Sequence, residues 1–137
     1  LNCVADLTPV ADALARLVRP GGLALLCLMG PHVPGEWLWF FTQRQPRRAL
    51  RRLRPVRWRG LEIHYPSRVH TCRVFARSFA VRRSWGLGAL LPPPAAEAWA
   101  RRHPRTVGLL DAVERRIEAW PGVNRLSDHY VVELVRR

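Results

Sequence analysis

The first thirty residues alternate between strand-like and helix-like segments, and this order constrains the fold more than any other feature of the chain. Residues 1–4 are typical of the end of a strand. Apolar residues then recur at helical spacing, at Val10, Leu14, Leu17 and Val18, after a start that Asp6 or Thr8 can cap. Pro20-Gly21-Gly22 ends the helix before the apolar run of residues 23–29. A strand, a helix and a second strand predict a parallel α/β sheet whose earlier strands lie outside this chain.

Further elements are predicted along the remaining sequence. They are an aromatic helix over about residues 36–44, a basic helix over 46–53, a strand over 61–65, a helix from 67 to about 76 capped by Ser67, strands over 79–85 and 126–135, and helices over about 95–102 and 104–120. Pro92-Pro93-Pro94 is expected to be stiff and extended. The sequence contains no internal repeat.

Residues 1–7 and the run Leu17-Val18-Arg19-Pro20-Gly21-Gly22 resemble a known family. They are similar to the fourth strand, following helix and fifth strand of class I S-adenosylmethionine-dependent methyltransferases, in the broad group that acts on small molecules. The resemblance implies an α/β, Rossmann-like fold that ends in an antiparallel hairpin. Residues 79–85 and 129–135 are the expected strands of that hairpin.

The sequence departs from the family at its start. It contains no Gly-x-Gly-x-Gly loop and no second strand ending in an acidic residue, and its only methionine is Met29. We therefore expect the C-terminal portion of one methyltransferase domain, with the cofactor-binding N-terminal half missing. Residues 1–30 would hold the end of strand four, a helix and strand five, residues 31–77 a helical lid for the substrate, and residues 78–137 the terminal hairpin with its intervening helices.

Ligands of open parallel sheets bind beyond the carboxyl ends of the strands, here residues 1–4 and 29–32. The resemblance implies S-adenosylmethionine as cofactor, touched by Leu1, Asn2 and Cys3. The Asn2 amide either contacts a ligand or forms a local turn. Methyl transfer depends mainly on alignment of the reactants. If the acceptor is a hydroxyl group, His32 or Glu36 is best placed to take its proton.

The aromatic run of residues 37–41 is too dense to be buried along one stripe of a helix. A pocket for a small hydrophobic or aromatic acceptor, formed by His32, Trp37, Phe40, Tyr65 and Trp85, is one interpretation. Packing of the lid against the core or against the missing half is the other. Trp99 and Trp120 are expected to be core anchors, and the acceptor atom is left open between oxygen, nitrogen and carbon.

The net charge of +13 comes from 23 arginines without a single lysine. Eight of these arginines lie between Arg44 and Arg59 with no acidic residue among them. This segment indicates an alternative function, a basic module that holds nucleic acid through phosphate contacts and stacking on tryptophan. The other interpretation is a solvated helix face, with Leu50 and Leu53 inside and the arginines outside.

Three cysteines without metal-ligand spacing predict neither a disulfide framework nor a metal site, and an odd number of thiols suits the reducing cytoplasm. No apolar run reaches the roughly 20 residues that span a bilayer, so no transmembrane segment is predicted. A third hypothesis is a non-catalytic partner that covers a hydrophobic groove of another protein.

Overall fold

The computed structural model describes all 137 residues, which form a small mixed α/β domain. Its α-helices are α1 (Thr8–Leu17), α2 (Pro34–Thr42), α3 (Pro46–Ala49), α4 (Arg68–Phe75), α5 (Glu97–Arg102) and α6 (Pro104–Ile117). Its strands are β1 (Leu23–Met29), β2 (Val56–Trp58), β3 (Leu61–Ile63), β4 (Phe79–Leu87) and β5 (His129–Arg136). Short 3₁₀ turns occupy Arg51–Leu53, Pro94–Ala96 and Val123–Arg125.

The main sheet has three strands in the order β1-β5-β4. β5 is antiparallel to both neighbours, with Met29 opposite His129 on one side and Trp85 opposite Val131 on the other. The predicted antiparallel pairing of the last two strands is therefore confirmed. β1 and β4 point in the same direction because both run opposite to β5.

Residues 1–4 do not form the predicted strand end. They make a turn in which the Val4 amide donates to the Leu1 carbonyl over 3.1 Å. β1 is hydrogen-bonded to β5 alone, so no two neighbouring strands of this sheet are parallel. The predicted parallel pairing of residues 1–4 with β1 does not form. These residues reach β1 through the Asn2 side chain and not through a ladder of backbone hydrogen bonds.

The core lies on one face of the main sheet, beneath α1 and α4. Its buried members come from both helices, the residue before α1 and all three strands: Leu7, Ala11, Ala24, Leu26, Leu28, Phe75, Phe79, Tyr130, Val132 and Leu134. Alternate residues of β1 point into it, as the two-residue period of a strand requires. Val10, Leu14 and Val18 pack against this cluster as predicted, whereas Leu17 at the end of α1 is 80% exposed.

Local signals at two helix starts behave as expected. Ser67 caps α4, because its hydroxyl accepts from the His70 amide over 3.2 Å. The Asp6 carboxylate accepts from the Thr8 amide at the start of α1, over 2.8 Å, and this bond holds the pKa of Asp6 below its usual range. Both side chains satisfy amides that a helix start leaves without a partner.

The other face of the main sheet is open along β1. Leu23 and Leu25 are 57% and 64% exposed there. Next to them Glu133 is buried, and Arg82 and Arg83 donate to its carboxylate over 2.9 and 2.6 Å. The Arg83 hydrogen bond, with the charges of both guanidinium groups, holds the pKa of Glu133 below its ordinary value. This face combines exposed leucines with an ion-pair cluster.

A second, two-stranded sheet is formed by β2 and β3, of which the sequence predicted only the later strand. Arg59 and Gly60 connect them with φ of +49° and +82°. Two positive φ angles are the signature of the type I′ turn, which matches the twist of a two-residue hairpin. Because arginine is uncommon in that position, the hairpin has no clear signal in the sequence.

Candidate functional site

The candidate site lies at the carboxyl end of β1, one of the two places where the sequence predicts ligand binding. Gly30 follows the strand and donates its amide to the Asp128 carbonyl over 3.0 Å, which ties the end of β1 to the start of β5. Three groups converge on this point: the turn at residues 1–4, the buried side chain of Arg52, and the segment from Pro31 into α2.

Asn2 is buried, and its amide group is engaged by backbone. The Asn2 Oδ1 accepts from the Met29 amide over 3.0 Å, and its Nδ2 donates to the carbonyls of Met29 and His64 over 3.2 and 2.7 Å. The His64 amide in turn donates to the Asn2 carbonyl. Asn2 therefore fastens β1 to the segment after β3 through long-range hydrogen bonds, which is a structural role other than the local turn that the sequence offered as one alternative.

The two neighbours of Asn2, Leu1 and Cys3, have exposed side chains. With both amide donors of Asn2 in use and no glycine-rich loop in the chain, residues 1–3 do not form a cradle for S-adenosylmethionine by themselves. The residues of this chain therefore do not form a complete binding site for the cofactor.

Arg52 is the centre of a buried ion-pair network. Its Nη2 lies 2.6 Å from Glu36 Oε2 and also pairs with Asp128 Oδ1. Its Nη1 donates to the Asp128 carbonyl over 3.3 Å, and its guanidinium carbon lies 5.5 Å from the centre of the Tyr65 ring. The side chain is only 6% exposed, so this network joins α2, the basic segment and the start of β5 in the protein interior.

The basic segment is therefore not a uniform solvated face. Its predicted helix divides into α3 and a 3₁₀ turn, which rotates Arg52 inward and leaves Leu50 and Leu53 45% and 51% exposed. The prediction that both leucines point inside is wrong, and so is the prediction that Arg52 points outside. Glu36 and Asp128 attract Arg52 to the interior, and neither acid is near it in the sequence.

His32 and Glu36, the two predicted proton acceptors, have opposite environments. His32 is exposed and meets the Trp37 ring edge-on at 5.9 Å. Glu36 is 1% exposed, and Arg51 Nε approaches its Oε1 to 2.8 Å while Arg52 holds its other oxygen. Glu36 and Asp128 also line a cavity of about 260 Å³ beneath Pro92 and Pro93.

The four predicted aromatic contacts do not share one pocket. Phe40 is buried, with the Arg48 and Arg51 guanidinium carbons 5.8 and 5.7 Å from its ring centre. Trp85 lies on β4 with Arg83 at 5.1 Å from its ring. Tyr65 lines a pocket of about 240 Å³ that neither Trp37, Phe40 nor Trp85 reaches.

A different pocket gathers other aromatic residues, and the sequence did not predict it. Leu38 and Trp39 of α2, residues 91–93 and Trp99 of α5 line an open pocket of about 350 Å³. We call it the tryptophan pocket. Trp99 was expected in the core, but it is only half-buried. The available signal was the proline run after β4, since Pro92 and Pro93 form a wall of the pocket and do not merely connect two elements.

No protein-family model matches the sequence, and no curated protein matches it at a significant level. None of the helices is both long and apolar enough to cross a bilayer.

Proposed function

We propose that this chain is the acceptor-binding, C-terminal part of a class I S-adenosylmethionine-dependent methyltransferase that acts on a small hydrophobic or aromatic molecule. One observation carries the proposal: β5 runs antiparallel between β1 and β4, which point in the same direction. The resemblance of residues 1–30 implies a sheet that ends in such an antiparallel hairpin. The motif and the strand order support the proposal separately, since one is read from local sequence and the other from long-range pairing.

The free side of β1 is a second support. Its outer edge has no hydrogen-bonded neighbour in this chain, and Leu23 and Leu25 beside it are more than half exposed. Folded proteins cover such edges and apolar faces, because open ones lead to aggregation. In the proposal, the cofactor-binding half of the domain pairs with this edge and covers this face.

The cofactor cradle belongs to that other half, because the residues of this chain do not form one. Bound there, S-adenosylmethionine would supply the methyl group. The contribution of this chain is to bind and orient the acceptor, which is the main source of rate in a simple displacement. For a hydroxyl acceptor we assign proton removal to His32, which is exposed, and not to Glu36, which is buried in ion pairs.

Calorimetry with S-adenosylmethionine tests the proposal on two proteins, this chain alone and the chain extended by its upstream coding sequence. We expect a dissociation constant weaker than about 1 mM for the chain alone and in the micromolar range for the extended protein. The extension should carry a strand followed by Gly-x-Gly-x-Gly. Micromolar binding by this chain alone, or an extension without that motif and without binding, would refute the proposal.

A second candidate function is nucleic-acid binding, and the β2–β3 hairpin favours it. Trp58 is 57% exposed at its tip, with the Arg59 guanidinium carbon 4.8 Å from the ring. Arg57, Arg59 and the arginines of α3 are all exposed. An exposed indole among arginines offers stacking for a base and charge for its phosphate.

Fluorescence anisotropy with a labelled single-stranded oligonucleotide tests this second function. Its affinity should fall at least about tenfold when salt rises from about 50 to about 200 mM, because counterions are released on binding. Trp58→Ala should weaken binding about five- to tenfold through lost stacking. Trp120→Ala, which removes an indole of similar exposure elsewhere, is the control. Absent binding at the lower salt concentration rules this function out.

A further inference from the structure

The tryptophan pocket has the size of a site for a small molecule. Its volume of about 350 Å³ lies within the range of ligand pockets in proteins. It is built from three separate parts of the chain: α2 on one side, the proline segment after β4 on the second, and α5 with α6 on the third. Leu38 and Leu90 on its lining remain 70% and 37% exposed, so apolar surface is left uncovered within a concave site.

Two indole rings define the geometry of the pocket. The centres of Trp39 and Trp99 are 6.4 Å apart and their planes differ by 61°. His103 stacks on Trp99 at 4.7 Å with an angle of 22°, and its Nδ1 lies 2.9 Å from the Trp99 carbonyl oxygen. These contacts hold the Trp99 ring in place before any ligand arrives, which lowers the entropic cost of binding.

The lining contains no charged group. None of the ten residues around the pocket is acidic or basic, although 24% of the chain is charged. The one hydroxyl, that of Thr42, already donates to the Trp39 carbonyl over 2.7 Å. A charged ligand would lose its hydration in this pocket without gaining a partner. The pocket therefore favours neutral molecules.

We propose that the tryptophan pocket binds a neutral, planar aromatic molecule of about two fused rings. Trp39 and Trp99 contact each other edge-to-face and both line the pocket, so a flat ring system can pack against the aromatic surface that they leave on its lining, because offset and edge-on contacts between aromatic rings are favourable. The assignment of this molecule as the methyl acceptor rests on the proposed function. The binding itself rests on the pocket alone.

Two other occupants are disfavoured by the same lining. A proline-rich peptide brings backbone carbonyl and amide groups that need hydrogen-bond partners, and the lining offers few free polar groups. A second copy of this chain would bring a strongly cationic surface, since the net charge is +13. A small neutral aromatic molecule carries neither cost.

Calorimetry with 2-naphthol and 2-naphthoate tests the proposal on this chain, without cofactor. The two probes share a ring system and differ in charge. High salt is used to suppress attraction of the carboxylate to surface arginines. We expect 2-naphthol to bind with a dissociation constant of about 100 µM or tighter, and 2-naphthoate at least about tenfold more weakly.

Three variants locate the binding site. Trp99→Ala should weaken 2-naphthol binding at least about tenfold, through loss of the aromatic contact. Leu38→Asp changes a residue that is 70% exposed, so it should fold normally, and its carboxylate at the pocket should weaken binding to a similar degree. Trp120→Ala alters an exposed indole outside the pocket and should leave the affinity unchanged.

Equal affinity for the two probes, no binding at about 1 mM, or the same loss in Trp120→Ala as in Trp99→Ala would overturn the inference. Preference for a proline-rich peptide, or a dimer that Leu38→Asp dissolves, would also overturn it. Failure here is distinguishable from failure of the proposed function, because these measurements use neither the cofactor nor methyl transfer.

Discussion

Alanine at position 52 should lower the free energy of unfolding by about 3–5 kcal/mol, the largest effect expected of any arginine substitution in this chain. Arg52 is 6% exposed and pairs with both Glu36 and Asp128. Its removal leaves the carboxylate of Glu36, which is 1% exposed, with Arg51 as its only cation. A buried charge that loses its buried partner is costly, because the remaining half-exposed arginine compensates only part of its lost hydration.

Urea unfolding of the wild type and two matched variants measures this effect. Arg51→Ala removes an arginine from the same segment and the same acid, but its side chain is 43% exposed, so we expect a loss below about 1 kcal/mol. Adding Glu36→Gln to Arg52→Ala should restore about 1–2 kcal/mol by removing the stranded charge. If Arg51→Ala and Arg52→Ala both lower the free energy of unfolding by the same small amount, the basic segment is a solvated face and the buried ion pairs of Arg52 do not stabilise the fold.

The second large effect is an alkaline loss of stability governed by Tyr130. This ring is 2% exposed and lies in the core. Its hydroxyl donates to the Pro66 carbonyl over 3.0 Å and hydrogen-bonds to Thr71 Oγ1 over 2.7 Å. Burial raises the pKa of Tyr130 to about 12, because a phenolate would lose its hydration inside the core.

The direction of this pH dependence follows from the protonation states of the phenol. Below pH 10 the phenol is neutral in the folded and unfolded chains, and its contribution to the free energy of unfolding is fully present. Between pH 10 and about 12 the unfolded chain ionises first, so stability falls by about 2–3 kcal/mol across this range. No lysine titrates here because the chain has none. Burial also raises the pKa of Cys72, which adds a smaller loss that begins near pH 9.

Urea unfolding at pH 8 to 12 should resolve the two contributions. Tyr130→Phe should be less stable at pH 8 by about 1–2 kcal/mol, because Thr71 and Pro66 lose a buried partner. Above pH 10 its stability should decline less steeply than that of the wild type. Cys72→Ala keeps the phenol and should retain the steep decline above pH 10. A wild type and Tyr130→Phe with parallel profiles would contradict the assignment.

Local sequence signals predicted those helices and strands that a few neighbouring residues are enough to specify. Pro20-Gly21-Gly22 separates α1 from β1, Ser67 starts α4, and the alternation of apolar and polar residues over 61–65 identifies β3. Each of these depends on neighbours a few residues away: a cap, a chain reversal or a two-residue period. The antiparallel pairing of β4 and β5 followed from the family resemblance.

The candidate site was predictable only in its location. The carboxyl end of β1 was expected to matter, and His32 is exposed there. The roles of Asn2 and Arg52 were not fixed in advance, since Asn2 bonds to Met29 and His64, and Arg52 meets an acid 76 residues away. The spacing of residues within the basic segment cannot identify partners that lie so far away in the sequence.

The sequence by itself determined the mixed α/β class, the strand and helix signals around residues 1–30, and a positive charge carried entirely by arginine. Only the tertiary structure decided which arginine is buried, which tryptophans share a pocket, and that β1 is paired on one side alone. The physical reason is the range of the interactions. Caps and periodic patterns act between neighbours in the chain, whereas the burial of a charge or a ring depends on partners that only folding brings near.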